Sequence, residues 1–402
     1  MSRIVGTALL VVAIAGCHEA TPPTSPRLSA LDVGSPVVPY QVIDLGKPSG
    51  MMGQAVALND RGQIVGRTWN QQGVNYAFIW QDGVMRDLGT LGGMTFPTDI
   101  NERGQVVGRS SVGGWWYPFL WSDGVMTSLH PDERSQNPSV APRVNDAGQV
   151  VWTGHSFVYP STGIAHAFLW SNGVVTDLVA DRVSAVAGVN ERGEIAGNTL
   201  GGGSAFVWRN GTLQFLPSLG GVASATAINN RGQVAGTAIT TSSTIAHAVL
   251  WDHGEITDLG VLPGDSLSGA GFITESGEVA GMSYNDRFAG GHPFLWEHGV
   301  LLPMSPSYPT DPLLFAVVGV NQRGTAAGNR RGSGPGLLAA VVLENGVTWT
   351  LPTLEGGIST TAAAINTRGD VVGFVDMPSP ILGQTDRRAV LWRRINPDVA
   401  AP

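Results

Sequence analysis

The chain has 402 residues, enough for two average domains or one large all-β domain. Its 55 glycines are about twice the usual share, while charged residues make up only 13%. An apolar content of 43% excludes disorder as the main state, a net charge of −8 argues against nucleic acid as a partner, and one cysteine excludes an internal disulfide framework.

The first segment reads as an address. Arg3 begins it, and Ile4–Ile14 is apolar and uncharged. That run is too short to span a bilayer and has the length of a signal-peptide core. It ends in Ile14-Ala15-Gly16-Cys17, which resembles the bacterial lipobox. The resemblance implies cleavage after residue 16 and acylation of Cys17. An ordinary signal peptide cut nearby and a buried free cysteine are the competing readings. Residues 17–39 carry five prolines and several Ser and Thr, and read as a flexible tether. The expectation is an exported protein held to a lipid bilayer through acylated Cys17, at the cell surface or outer membrane.

From residue 40 an internal repeat governs the reading. The pattern is an apolar residue, Asn, two variable residues and Gly, then an apolar pair and usually a second Gly. Copies start at Leu58, Ile100, Val144, Val189, Ile228, Ile273, Val320 and Ile365. Between them runs an apolar stretch ending in Trp, followed by Asp, Asn or His and then Gly. Its Trp residues are Trp80, Trp121, Trp170, Trp208, Trp251, Trp296 and Trp392, with Leu343 in the seventh copy. Asn-x-x-Gly suits a type I turn closed by a left-handed Gly, and Asp-Gly or Asn-Gly is a strong hairpin signal. The segments between turns are short, rich in Val, Ile, Phe and Trp, and lack a helical period.

Each repeat therefore predicts four antiparallel strands, a to d, the size of one propeller blade. Tyr40–Gly46 matches strand d but precedes the first strand a, and the eighth repeat stops after strand c at Trp392. The expected fold is an all-β, eight-bladed β-propeller of four-stranded antiparallel blades. Its ring is closed by the N-terminal strand pairing with the last blade, near Ala389–Trp392. A β-solenoid is the alternative, but it would need no such offset. The organisation is then 1–16 signal peptide, 17–39 tether, 40–394 propeller and 395–402 tail.

The tripeptide His166-Ala167-Phe168, with Tyr76-Ala77-Phe78, Ser204-Ala205-Phe206 and His292-Pro293-Phe294 at matching places, resembles the bacterial extracellular HAF repeat. The likeness spans residues 40–394, although the full tripeptide occurs once. It implies an exported protein of tandem repeats and no particular activity.

Few residues invite chemistry. No HxH, HExxH or paired CxxC spacing occurs, so neither metal nor cofactor is expected. Nor is there a nucleophile elbow, a phosphate loop or a dinucleotide fingerprint. Arg61, Arg103, Arg192, Arg231, Arg323 and Arg368 share one turn position and read as solvated, self-compensated charges. Two residues before each repeat Asn stand Ala57, Asp99, Arg143, Gly188, Ala227, Phe272, Gly319 and Ala364. If these face the axis, the channel has one Asp–Arg pair and lacks the two acids of glycoside hydrolysis.

Function is therefore expected on the long b–c and d–a loops. Candidate ligand-binding residues are Trp115, Trp116 and Tyr117 on a Gly-rich loop, together with Trp69 and Tyr284. Tyr76, Tyr159, the Asn285–Phe288 stretch and the acidic loop at His130–Arg134 lie in comparable places. Aromatic residues there either cap the blades or form a platform for a sugar or a protein anchor. The leading expectation is a monomeric, non-catalytic binding module for a protein or glycan. A surface hydrolase acting on sugars or lactones, and a structural envelope scaffold, are the alternatives.

Overall fold

A computed structural model describes residues 38–129, 136–156, 164–178, 184–199, 203–240, 245–285, 291–305, 315–332, 334, 336–379 and 385–395. Cys17, Tyr159, His130–Arg134 and Asp286–Phe288 lie outside the described residues. Every described element is a strand, and the strands form eight four-stranded antiparallel sheets arranged as an eight-bladed β-propeller. Blade 1 runs Met52–Leu58 (a), Ile64–Trp69 (b), Asn75–Gln81 (c) and Val84–Asp87 (d). Blade 2 runs Thr95–Ile100, Val106–Val112, Trp115–Ser122 and Val125–Ser128 in the same order.

Ring closure follows the offset read in the sequence. In blade 8 the sheet order is Tyr40–Asp44, Thr385–Arg394, Val371–Pro378, Ser359–Ile365. Tyr40 pairs with Arg394 and Asp44 with Val390. The last blade thus takes its outer strand from the other end of the domain, and no unpaired edge of strand c remains.

Both faces of each sheet are covered, so the motif's apolar pair is buried on both sides. Ile64 packs toward blade 8 with Trp80, Val372 and Leu391. Its neighbour Val65 packs toward blade 2 with Ile79, Val106 and Phe119. The turns match their sequence signals. Asp82, Asp123, Asn172, Asn210 and Asn345 have φ between 48° and 52°, and each is followed by a Gly of positive φ. That is the type I′ hairpin whose twist suits the flanking strands.

The strand-c tripeptide has a physical meaning at each position. His166 Nδ1 lies 2.8 Å from Asp177 on strand d, and His247 Nδ1 lies 2.9 Å from Asp258. The Ala167 carbonyl accepts from the Leu178 amide at 2.9 Å, as Ala77 does from Leu88 at 3.0 Å. The Phe ring fills the place left open by the second motif glycine on strand b. A Cβ on Gly66 would collide with the Phe78 ring and the Gln54 carbonyl oxygen, and one on Gly281 with Phe294 and the Gly269 carbonyl. In blade 3 this glycine is Trp152, which stacks on Phe168 at 5.5 Å. Strand a gives way there. Val140 pairs with Thr153 and Arg143 with Val151, passing Trp152 by.

Candidate functional site

Two rings of hydrogen bonds surround the axis at the end carrying the a–b turns. The repeat Asn is buried and does more than turn the chain. In blade 1 its Oδ1 accepts from the amides of Arg61 and Gln63, while its Nδ2 donates to the carbonyl of Asn101 in blade 2. The same donation runs Asn101 to Asn145, Asn145 to Asn190, Asn190 to Asn229, Asn229 to Thr274, Asn321 to Asn366 and Asn366 to Asn59. Thr274 has no amide to donate, so the step to Asn321 is missing.

The residue after each Asn forms the second ring. Asp60 donates its amide to Glu102, Glu102 to Asp146, Asp146 to Glu191, Glu191 to Asn230, Asn230 to Glu275, Glu275 to Gln322, and Thr367 to Asp60. Five carboxylates thus gather near the axis. Inspecting the position two before Asn missed them; an acid directly after the repeat Asn in four repeats, and after Thr274 in a fifth, was the available signal. Burial pushes the Glu102 carboxyl above its ordinary range, and the charges of Asp60 and Asp146 add to that. Burial likewise raises Glu191, with Asp146 and Glu275 adding to it. Each carboxylate is occupied by a backbone amide, so the ring reads as a clasp between blades.

The expected Asp–Arg pair takes a different form. Asp99 accepts from the amides of Ile100 (3.0 Å) and Val144 (3.2 Å). Burial raises its pKa, and the Arg143 charge only partly opposes that rise. The turn arginines partly match expectation. Arg192 pairs with Glu194 at 2.8 Å and Arg368 with Asp370 at 2.9 Å, while Arg61 donates to the Glu102 carbonyl of the next blade. Among the described residues, no cluster of three metal-ligating side chains occurs.

The opposite end, where strand b meets strand c, carries the aromatic candidates. Trp115, Trp116 and Tyr117 lie in a strand rather than a loop. They pair with Val112, Ser111 and Ser110, and only Gly113 and Gly114 make the turn. Strand alternation sends Trp116 to one face and Trp115 and Tyr117 to the other. Trp116 meets Phe96 edge-to-face at 5.1 Å. Arg109 lies over both rings, 5.0 Å from Trp116 and 5.5 Å from Phe96. Arg67 lies over Phe96 at 4.9 Å and over Trp69 at 5.2 Å. The result is an alternating stack across blades 1 and 2: Trp69, Arg67, Phe96, Arg109, Trp116.

A cavity of about 360 Å³ opens beside it, bounded by Gln54, Arg67, Phe96, Pro97, Thr98 and Arg109 among others. Burial, with the like charges of Arg387 and Arg109, holds the Arg67 guanidinium below its ordinary pKa. Arg387 is neutralised by Asp376 at 2.8 Å, whereas among the described residues no carboxylate pairs with Arg67 or Arg109. Sequence reasoning named the two tryptophans of this stack and missed Arg67, Phe96 and Arg109. It also named Tyr284, which ends strand b of blade 6 and lies outside the stack. Burial raises the Tyr284 hydroxyl. Tyr76 lines a separate cavity of about 560 Å³ at the seam of blades 8 and 1, whose lysine, Lys47, pairs with Asp386.

No protein-family model and no curated relative matches the chain. Solved structures do resemble it. The β-propeller domain of the Trilobed protease from Pyrococcus furiosus, described as having an open velcro topology, aligns with TM-score 0.51 at 10% identity, over 75% of this chain and 96% of that one. An acylaminoacyl peptidase aligns with TM-score 0.49 at 10% identity, over 83% of this chain. This chain spans only 59% of that peptidase. YCF48 bound to D1 peptide aligns with TM-score 0.47 at 11% identity, over 93% of this chain and 99% of that one. At such identities the likeness extends to the propeller fold alone.

Proposed function

We propose that this chain is an exported HAF-repeat propeller, anchored to a bilayer through acylated Cys17, that acts as a non-catalytic binding module for a glycan or protein at the cell surface. The observation that carries the binding reading is the stack of three aromatic rings and two guanidinium groups bordering a cavity at one end of blades 1 and 2. Rings of this kind supply flat apolar area at low entropic cost, and arginine supplies fixed donors. The hydrolase reading has less support. The carboxylates that gather near the axis accept backbone amides from neighbouring blades and lie at the end with the a–b turns.

The test is a glycan and peptide array probed with the full-length chain and with Trp69→Ala and Trp116→Ala. Ligands lost by both variants while thermal stability stays within a few degrees support the reading. A binding profile unchanged in both variants overturns the site. Metabolic labelling with a fatty acid, lost in Cys17→Ala, tests the anchor.

A further inference from the structure

Blades 1 and 2 carry arginine at a strand-b position where three other blades carry a hydrogen-bonded clasp, and their neighbours show why no clasp is possible there. In blades 3, 4 and 7 the residue that follows the second motif position on strand b locks its blade to strand a of the next, whereas Met282 and Phe374, at this place in blades 6 and 8, have no group to do so. Asn198 accepts from the Ala225 amide at 2.7 Å and donates to the Ala225 carbonyl at 2.9 Å. Asn329 does the same with Ala362, at 2.7 and 3.0 Å. Thr153 accepts from the Val186 amide at 3.0 Å.

In blades 1 and 2 this position is Arg67 and Arg109. The residue facing Arg67 from the next blade is Pro97, which pairs with Gly108 as Ala225 pairs with Gly236. The corresponding residue beyond Arg109 is Pro142, whose carbonyl takes the Thr98 hydroxyl as the Ala270 carbonyl takes that of Thr226. A proline has no amide hydrogen to offer. An Asn or Thr would therefore find no donor at either place, and both positions are released from clasping the blades.

What occupies them is two guanidinium groups whose Cζ atoms lie 4.9–5.5 Å from the centres of Trp69, Phe96 and Trp116. A cation–π contact does not use up the N–H donors of a guanidinium as a hydrogen bond to an acceptor would. No protein acceptor takes them among the described residues. Two like charges, partly buried and close enough to lower the pKa of Arg67, are held together in a chain of net charge −8. Gln54 adds a neutral amide to the same cavity.

Resting on the reading of this stack as a binding site, we propose that it selects an acidic sugar: a uronate-bearing glycan that enters the cavity beside Phe96 while its carboxylate takes the N–H donors of Arg67 and Arg109. A planar carboxylate matches the guanidinium edge in bidentate fashion. The cavity falls at the lower end of the usual range for small-ligand pockets, roughly 300–1,000 Å³, which suits a short stretch of sugar better than a folded partner.

The experiment is calorimetric titration of the full-length chain in non-ionic detergent with four probes: trigalacturonate, its neutral galactose counterpart, galactose 1-phosphate and tetraglutamate. Arg67→Gln and Arg109→Gln accompany the parent. The expected result is that trigalacturonate binds tightest, that each variant weakens it by about 10- to 100-fold, and that added salt weakens it further. Equal affinity for the neutral trisaccharide, untouched by either variant, overturns the acidic selectivity while leaving the binding site in place. Tighter binding of the sugar phosphate overturns the carboxylate, and tighter binding of tetraglutamate overturns the glycan in favour of an acidic peptide. If none of the four binds and the Trp69→Ala and Trp116→Ala arrays match the parent, the site itself fails.

Discussion

Thr274→Asn should stabilise the protein, because it completes a ring that is otherwise interrupted. In five successive blades a buried Asn Nδ2 reaches the next blade's carbonyl at 2.8–3.0 Å. Thr274 is buried at the corresponding position and keeps the local half of the motif. Its Oγ1 accepts from the Glu278 amide at 3.1 Å and lies 2.9 Å from the Glu278 carboxylate. An Asn retains both contacts. Asn190 accepts from the Glu194 amide at 2.9 Å and donates to its carboxylate at 2.6 Å, so a Glu four residues on is compatible.

The gain is one buried inter-blade bond to the Asn321 carbonyl, worth about 1 kcal/mol net. The mirror change is Asn101→Thr, which on the pattern of Thr274 keeps the contacts to Gln105 but loses the 2.9 Å bond to Asn145 and the bond from the Arg103 amide, and should cost about 1–2 kcal/mol. Asn101→Ala also strands the amide of Gln105 and should cost about 3–4 kcal/mol. Urea unfolding followed by tryptophan fluorescence, with midpoints compared at constant m-value, measures all three. If Thr274→Asn is neutral or destabilising in a folded protein, or if Asn101→Thr costs as much as Asn101→Ala, the ring of amides does not hold the blades together.

Other perturbations probe separate parts of the argument. Gly66→Ala should cost about 3 kcal/mol or more, because its Cβ has no room beside the Phe78 ring and the Gln54 carbonyl; a midpoint within error of the parent would refute this. Deleting residues 1–46 removes the five pairs that close the ring and the buried Tyr40 and Leu45, so light scattering should detect more association than in the parent. Glu102 and Glu191 have folded pKa values above their unfolded ones, so the folded state holds more protons and stability rises as pH falls toward those values. Above them the cost of the buried charges is fully present. Glu102→Gln with Glu191→Gln should therefore flatten the parent's stability difference between pH 7 and pH 5, because Gln322 already serves as an acceptor in this ring. An unchanged difference would sink the idea that these two acids repel their neighbours.

The fold was legible because its signals are local and repeated. Asn-x-x-Gly and Asp-Gly demand particular turns, and the offset between Tyr40–Gly46 and Trp392 specifies which strand completes the last blade. The second motif glycine looked like punctuation, yet its role is to admit the Phe of strand c, a contact that only pairing reveals. The binding candidates were legible only in part. Aromatic residues stand out in a line of text, so the sequence reading includes Trp69 and Trp116 of the stack. Trp115 and Tyr117 were drawn in with Trp116 by adjacency, and strand alternation turns them the other way. Tyr284 was drawn in by loop analogy and lies in blade 6.

Arg67 and Arg109 were passed over because arginine is almost the only basic residue in this chain and recurs at the turns. Their distinction is not their type but what faces them. A proline inside a strand is unusual, since it removes a ladder donor. Here Pro97 and Pro142 stand in two successive strands a, beside the two blades that carry arginine at the strand-b position where three other blades make a clasp. Neither oddity is informative alone. Taken together they are what the proposed site rests on: a place where proline has removed a hydrogen bond between blades and two arginines stand in the positions that would have made it.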